Sequence, residues 1–121
     1  MRGNFKKADV NELARQSGFQ RSNPSCRRPT VGSDGEGRSA SIGVAAHITV
    51  ASVGGPRYDP NISETEIPSI NNGIWLCQTC SRLIDVDVTS HSTDFLHEWK
   101  KLSEIQAYLA LRNLEVVQSR S

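Results

Sequence analysis

The clearest hydrophobic pattern lies in the last quarter of the chain, where apolar residues recur at helical spacing. After Ser92 and Thr93, either of which can cap a helix, STDFLHEWKKLSEIQAYLALRNLEV repeats apolar positions every three or four residues. These positions are Phe95, Leu96, Trp99, Leu102, Ile105 and Leu109. The spacing predicts a long amphipathic helix at the C-terminal end.

A shorter helical pattern lies near the amino terminus. VNELARQSGF places Val10, Leu13, Ala14 and Phe19 on one side of a helix, with Gly18 as its stop. The next stretch, RSNPSCRRPT, has two prolines and predicts a knuckle-like turn. VGSDGEGRSA follows, and its glycines, serines and charges predict a flexible loop.

Two apolar stretches in the middle of the chain have the composition of buried strands. SIGVAAHITV is rich in β-branched and small apolar residues, and INNGIWLC opens with a turn-forming Asn-Asn-Gly. A long loop that ends near Pro68 separates them. We expect the two strands to pair as an antiparallel ribbon and CQTCSRLIDVD to lead into a short helix.

These elements predict one α+β domain. A chain of 121 residues with 36% hydrophobic residues can bury a modest single core. The predicted order is an N-terminal helix in 1–20, a knuckle and flexible loop in 21–40, two strands and a short helix in 41–91, and a C-terminal helix and tail in 92–121.

The charge of the chain is uneven although its formal total is only +1. Arg21, Arg27, Arg28 and Arg38 crowd the first third. Phosphate binding needs only a local positive surface, so the small total does not exclude nucleic acid as a partner. No apolar run reaches the length of a membrane span, and the start lacks the apolar core of a signal peptide. We therefore expect a cytoplasmic protein with no membrane partner.

The chain has three cysteines, two of which form Cys77-Gln-Thr-Cys80. In a reducing compartment this spacing favours metal binding over a disulfide. A thiol oxidoreductase is the alternative use of such a pair, but the βαβ pattern that normally surrounds it is missing from the sequence.

A histidine, an asparagine and an acidic residue fall on successive predicted elements. AAHI places His47 near the end of the first strand, NNGIWLC places Asn72 before the second, and CSRLID places Asp85 on the short helix. This order resembles the HNH nuclease motif. The resemblance implies a ββα-metal fold flanked by an N-terminal helix and a long C-terminal helix.

The same resemblance implies a role for each residue. His47 would take a proton from the water that attacks phosphorus, which suits an imidazole that is neutral near pH 7. Asn72 would bond the backbone near His47 and brace the loop. From the residues alone, Asn-Asn-Gly could also be a simple turn, Asn71 could be the functional member, and Asp85 could be an ordinary carboxylate near a helix end.

In the HNH family the short helix offers metal ligands four residues apart, and those positions here are Ser81 and Asp85. A carboxylate suits Mg²⁺ or Mn²⁺, which would neutralise the charge that builds on the phosphoryl oxygens. Ala46 stands where relatives often carry an acid or a histidine before the base. Asp87 and His91 are further candidate ligands.

Many HNH proteins also hold a structural zinc ion, and the resemblance assigns it to Cys77 and Cys80 with an earlier pair from the knuckle. Cys26 would supply one member of that earlier pair, and Arg21 occupies the position of the other. Structural zinc takes four ligands, so either another side chain completes the set or the cysteines form an apolar packing unit.

Four stretches, SNPSCRRPT, IGVAAHITVASVGGPRYDP, NNGIWLCQTCSRLIDVD and FLHEWK, together resemble one HNH subfamily. It forms the nuclease part of bacterial anti-phage effectors, often joined to a sensor of cyclic oligonucleotides called a SAVED domain. The resemblance implies double-stranded DNA as a substrate cut with low sequence specificity, a sensing domain or partner, and assembly of two or more copies.

Arg57 in GGPRYD is a candidate substrate-binding residue. A guanidinium can bind phosphate oxygens of the DNA backbone, and the neighbouring glycines let the main chain approach closely. The alternative is a salt bridge within the loop. For the chain as a whole, the competing function is a catalytically degenerate zinc-knuckle module that binds DNA or has a structural role.

Overall fold

Residues 4–114 are described by the computed structural model. They form the helices α1 (Lys7–Gln16), α2 (Gln78–Val86) and α3 (Thr93–Leu111) and the strands β1 (Val31–Ser33), β2 (Ser39–Ser41), β3 (Gly43–His47) and β4 (Gly73–Cys77). The predicted α+β class is confirmed. The ends of the predicted terminal segments, 1–3 and 115–121, lie outside the described residues. No helix within 4–114 is long and apolar enough to cross a bilayer.

The centre of the domain is the antiparallel ribbon of β3 and β4, which the sequence predicted. Its register runs from Gly43 opposite Cys77 to His47 opposite Gly73, and every residue of β4 is buried. One face of the ribbon carries alternate apolar residues that pack against α2 and α3. This core consists of Ala46, Ile48, Ile74, Leu76, Cys77, Cys80, Ile84 and Leu96.

Helix α1 packs against the ribbon through the buried Leu13 and Ala14. A Cβ added at Gly73 would lie 2.5 Å from the Cδ1 atom of Leu13, so glycine permits this close approach. The helix ends as expected, with Gly18 in the left-handed region at φ 67°. Phe19 follows in the same region at φ 59° and lies beyond the helix, so its predicted place on the helical face is wrong.

Helices α2 and α3 begin at side-chain caps. The Cys77 sulfur accepts from the Cys80 backbone N–H at the start of α2, and the Ser92 hydroxyl accepts from the Phe95 backbone N–H at the start of α3. The predicted start of the C-terminal helix is confirmed. Its apolar stripe is only partly buried, because Leu96 is inaccessible whereas Phe95 is 40% exposed.

The segment that the sequence predicted as a flexible loop contains a short hairpin of β1 and β2. The Asp34 carboxylate accepts hydrogen bonds from the backbone N–H groups of Glu36 and Arg38. Gly35 and Gly37 adopt φ 83° and 88°, which close the turn. Local turn chemistry therefore orders this polar segment without a hydrophobic core.

Candidate active site and cysteine cluster

The predicted base and the predicted brace meet at one end of the β3–β4 ribbon. His47 is the last residue of β3 and faces Gly73 across the register, while Asn72 ends the 3₁₀ helix that enters β4. The Asn72 Oδ1 atom accepts from the Thr49 backbone N–H at 2.9 Å, and Asn72 Nδ2 donates to the Thr49 carbonyl at 2.9 Å and to the Ile67 carbonyl at 3.0 Å. The buried Asn72 amide thus joins Thr49, just after His47, to Ile67 near the other end of the intervening loop.

The imidazole of His47 lies against an aromatic ring from the start of the chain. Phe5 stacks on it with 4.1 Å between ring centroids and 15° between the planes. The same ring lies beside Gly73, where an added Cβ would come within 3.1 Å of it. Sequence reasoning missed Phe5 because no periodic pattern links it to the ribbon.

Arg57 is buried, with 2% of its side chain exposed, and its guanidinium binds groups of the protein. Nη1 donates to the carbonyl of Ile84 at 2.7 Å, and Nε donates to the carbonyl of Ile48. Nη2 donates to the carboxylate of Asp85 at 2.7 Å and approaches the carbonyl of His47 at 3.4 Å. The guanidinium therefore forms a structural salt bridge, but with Asp85 of α2 and not within its own loop as the alternative had it, and a guanidinium so placed does not present its donors to DNA phosphates.

The Arg57 contacts bring two predicted site residues together. One guanidinium nitrogen lies within hydrogen-bonding distance of both the His47 carbonyl and the Asp85 carboxylate. Asp85 lies on the last turn of α2, and 43% of its side chain remains exposed. Ser81, one turn earlier, is half-buried. The structure therefore places an accessible carboxylate beside the backbone of the predicted base.

The remaining positions near the predicted metal site lie in different environments. Ala46 is in the core against α2 and α3, because residues of β3 alternate between the two faces of the ribbon. His91 is buried, its ring stands edge-on to Trp99, and its Nδ1 lies 2.7 Å from the Asp87 carbonyl. His91 is therefore a packed core histidine in this structure, and Asp87 contacts it through the main chain.

The three cysteines form a second cluster at the other end of the ribbon. The sulfur atoms of Cys26, Cys77 and Cys80 all lie within 4.8 Å of one another. Cys77 and Cys80 are buried at the start of α2, while Cys26 comes from the 3₁₀ helix Pro24–Cys26. Three convergent thiols fit a thiophilic ion such as zinc, so the cluster could bind a metal.

Polar groups of the knuckle surround these sulfurs. The Asn23 amide lies 3.5 Å from the Cys80 sulfur, and Arg21 Nη1 lies 3.0 Å from the Cys26 sulfur. Burial raises the pKa of the Cys80 thiol to about 11. Burial also acts to raise the pKa of Cys77, but hydrogen bonds from the Cys80 backbone and side chain and the charge of Arg21 outweigh it and lower that pKa.

The arginines of the first third do not form one positive surface. Arg21 faces the cysteines, and Arg27 donates to the carbonyls of Ser17 and Ser103 at 3.0 and 3.1 Å. Burial lowers the pKa of Arg27. Arg28 and Arg38 are exposed. Arg21 and Arg27 therefore have structural roles, whereas Arg28 and Arg38 do not share these contacts. The closeness of the four arginines in the sequence does not reveal this difference.

A scan of the chain against protein-family models found no match, and a search of curated proteins found no similar sequence.

Proposed function

We propose that this chain is a metal-dependent HNH endonuclease that hydrolyses phosphodiester bonds of double-stranded DNA with low sequence specificity. The observation that carries the proposal is the buried Asn72 amide, which pairs with both backbone groups of Thr49 just beyond His47. This is the bracing role that the HNH resemblance assigns to Asn72. The ββα order of β3, β4 and α2 supports the same assignment.

In this proposal His47 is the general base. Its imidazole accepts a proton from water as the water oxygen bonds to phosphorus, and the bond from phosphorus to the leaving ester oxygen breaks. The leaving oxygen keeps the electron pair of that bond and takes a proton from solvent. Phe5 holds the plane of the ring, and Asn72 holds the backbone that follows it. Arg57 fixes Asp85 beside the His47 carbonyl, so it acts as a positioning residue.

Asp85 would hold the divalent ion, with Ser81 one turn earlier able to contact a water. Mg²⁺ and Mn²⁺ accept one or two carboxylates and take further ligands from water and substrate phosphate, so one accessible carboxylate fits this kind of ion. When bound, the ion would neutralise charge on the phosphoryl group. The carboxylate oxygen that pairs with Arg57 is already oriented by the protein.

The proposal is tested by cleavage of supercoiled plasmid with Mg²⁺, Mn²⁺ or EDTA. Purified wild type is compared with His47→Ala and with His97→Ala, a matched control because His97 is exposed on α3. We expect metal-dependent cutting by the wild type and His97→Ala, and a loss of about a hundredfold or more in His47→Ala. Equal cutting by all three proteins would contradict the assignment of His47.

A second candidate is a non-catalytic module that binds DNA, and one observation favours it. Within residues 4–114, the only group of three or more potential metal-binding side chains is the cysteine cluster, and the Asp85 carboxylate is paired with Arg57. A gel mobility shift of a DNA duplex with wild type, without cleavage in the presence of any of the metal ions, would support this module.

Regulation by assembly is part of the nuclease proposal. Activity that is independent of protein concentration in a strictly monomeric sample would contradict it.

A further inference from the structure

The cysteine cluster has an arginine where a fourth sulfur ligand would be expected. Arg21 Nη1 donates to the Cys26 sulfur at 3.0 Å, and this hydrogen bond raises the pKa of Arg21 above its ordinary value. Among residues 4–114, no fourth Cys, His, Asp or Glu joins the group formed by Cys26, Cys77 and Cys80. The described chain therefore supplies three of the four ligands that a tetrahedral ion takes.

The surroundings of Arg21 favour a ligand from solution. Its Nε–H is buried and has no hydrogen-bond partner among the described residues, which is costly for a charged donor. A cavity of about 340 Å³ lies beside it, lined by Arg21, the three cysteines and the first residues of α2. That volume is several times the roughly 30 Å³ of one water molecule, so a small molecule can enter.

Charge balance permits an anion as the fourth ligand. Three thiolates and one singly charged anion around a divalent ion carry two excess negative charges, as four thiolates do. The Arg21 guanidinium beside the Cys26 sulfur reduces this excess to one. The Arg21 side chain also lines the cavity, so its guanidinium can donate a charge-assisted hydrogen bond to an anion that enters.

We propose that Cys26, Cys77 and Cys80 bind a divalent ion whose fourth ligand is an exchangeable small anion held by Arg21. The site is then an anion-accepting metal centre and not a closed structural one. The proposal is independent of the nuclease activity, because the cluster lies at the opposite end of the ribbon from His47.

The experiment uses the complete chain loaded with Co²⁺, whose visible spectrum reports the number of thiolate ligands and changes when a ligand exchanges. Wild type, Arg21→Gln and Arg21→Cys are titrated with sodium azide. Arg28→Gln is the matched control, since Arg28 is an exposed arginine of the same knuckle. Circular dichroism checks that each variant is folded.

We expect azide to shift the spectrum of wild type and Arg28→Gln with the same affinity. Arg21→Gln should bind azide about tenfold more weakly or worse, because a charge-assisted hydrogen bond is lost. Arg21→Cys should gain thiolate charge-transfer intensity and cease to respond.

Three results would overturn the proposal. The wild-type spectrum could be unaffected by azide, which would mean that the chain itself supplies the fourth ligand. Wild type could bind no Co²⁺ while Arg21→Cys does, which would mean that the guanidinium takes the place of the ion. Equal azide affinity in Arg21→Gln and wild type would remove Arg21 from the site. The wild-type titration is decisive even if a variant does not fold.

Discussion

Truncation of the Asn72 side chain in the candidate active site should lower the free energy of unfolding by an amount that its hydrogen bonds determine. Asn72→Ala removes three hydrogen bonds, two of them to the backbone of Thr49 and one to the Ile67 carbonyl. The Thr49 N–H and its carbonyl are buried and would be left without these partners. At about 1 kcal/mol for each of the three bonds, we expect a loss of about 3 kcal/mol in the free energy of unfolding.

Urea unfolding measures this loss directly. With a slope of about 2 kcal/mol per molar urea, the midpoint should fall by about 1.5 M. Asn71→Ala is the matched control: Asn71 is exposed, so its truncation should change the free energy of unfolding by less than about 0.5 kcal/mol.

Amide hydrogen exchange localises the effect. The Thr49 N–H donates to the Asn72 side chain, whereas the neighbouring Ile48 N–H donates to the Asn72 backbone carbonyl, which the substitution keeps. Protection should therefore fall more at Thr49 than at Ile48 in Asn72→Ala. Equal midpoints for the two alanine variants, or equal loss of protection at both amides, would refute the bracing role.

Three further predictions concern the neighbours of the site. Arg57→Met should lower the free energy of unfolding by about 3 kcal/mol or more, because several buried carbonyls and a carboxylate lose their donor. A loss below about 1 kcal/mol in urea unfolding would contradict this. Phe5→Ala should slow plasmid cleavage about threefold to tenfold and shift the ring NMR signals of His47. The reason is that a stacking interaction of about 0.5–1.5 kcal/mol no longer orients the imidazole. An unchanged rate and unchanged signals would show that Phe5 does not orient His47. Gly73→Ala should destabilise by about 1–3 kcal/mol through overpacking against α1, whereas Gly32→Ala, which meets nothing within 4 Å, should not.

Local patterns were sufficient to predict the central elements of the fold. The ribbon, the short helix after Cys77 and the capped start of α3 at Ser92 all follow from residue spacing and turn chemistry within short windows. The β1–β2 hairpin was missed because its order depends on one carboxylate, that of Asp34, and two glycines with positive φ. Polar composition alone does not distinguish such a turn from a flexible loop.

The candidate site depended more on contacts between distant parts of the chain. The order of His47 and Asn72 could be read from the sequence, but the stack of Phe5 on His47 joins segments with no shared periodicity. Arg57 had two open interpretations, and its partner Asp85 lies 28 positions later. Burial of a guanidinium depends on the packing of the whole domain. The local sequence GGPRYD therefore does not show whether Arg57 contacts phosphate or forms an internal ion pair.

The most direct test of the central claim is chemical rescue of His47→Gly in the plasmid assay with Mg²⁺. If His47 is the base, the wild type cuts, His47→Gly does not, and free imidazole restores part of the cutting in proportion to its unprotonated fraction. Such rescue distinguishes a missing base from a misfolded protein. Cutting by His47→Gly at the wild-type rate without imidazole would contradict the account.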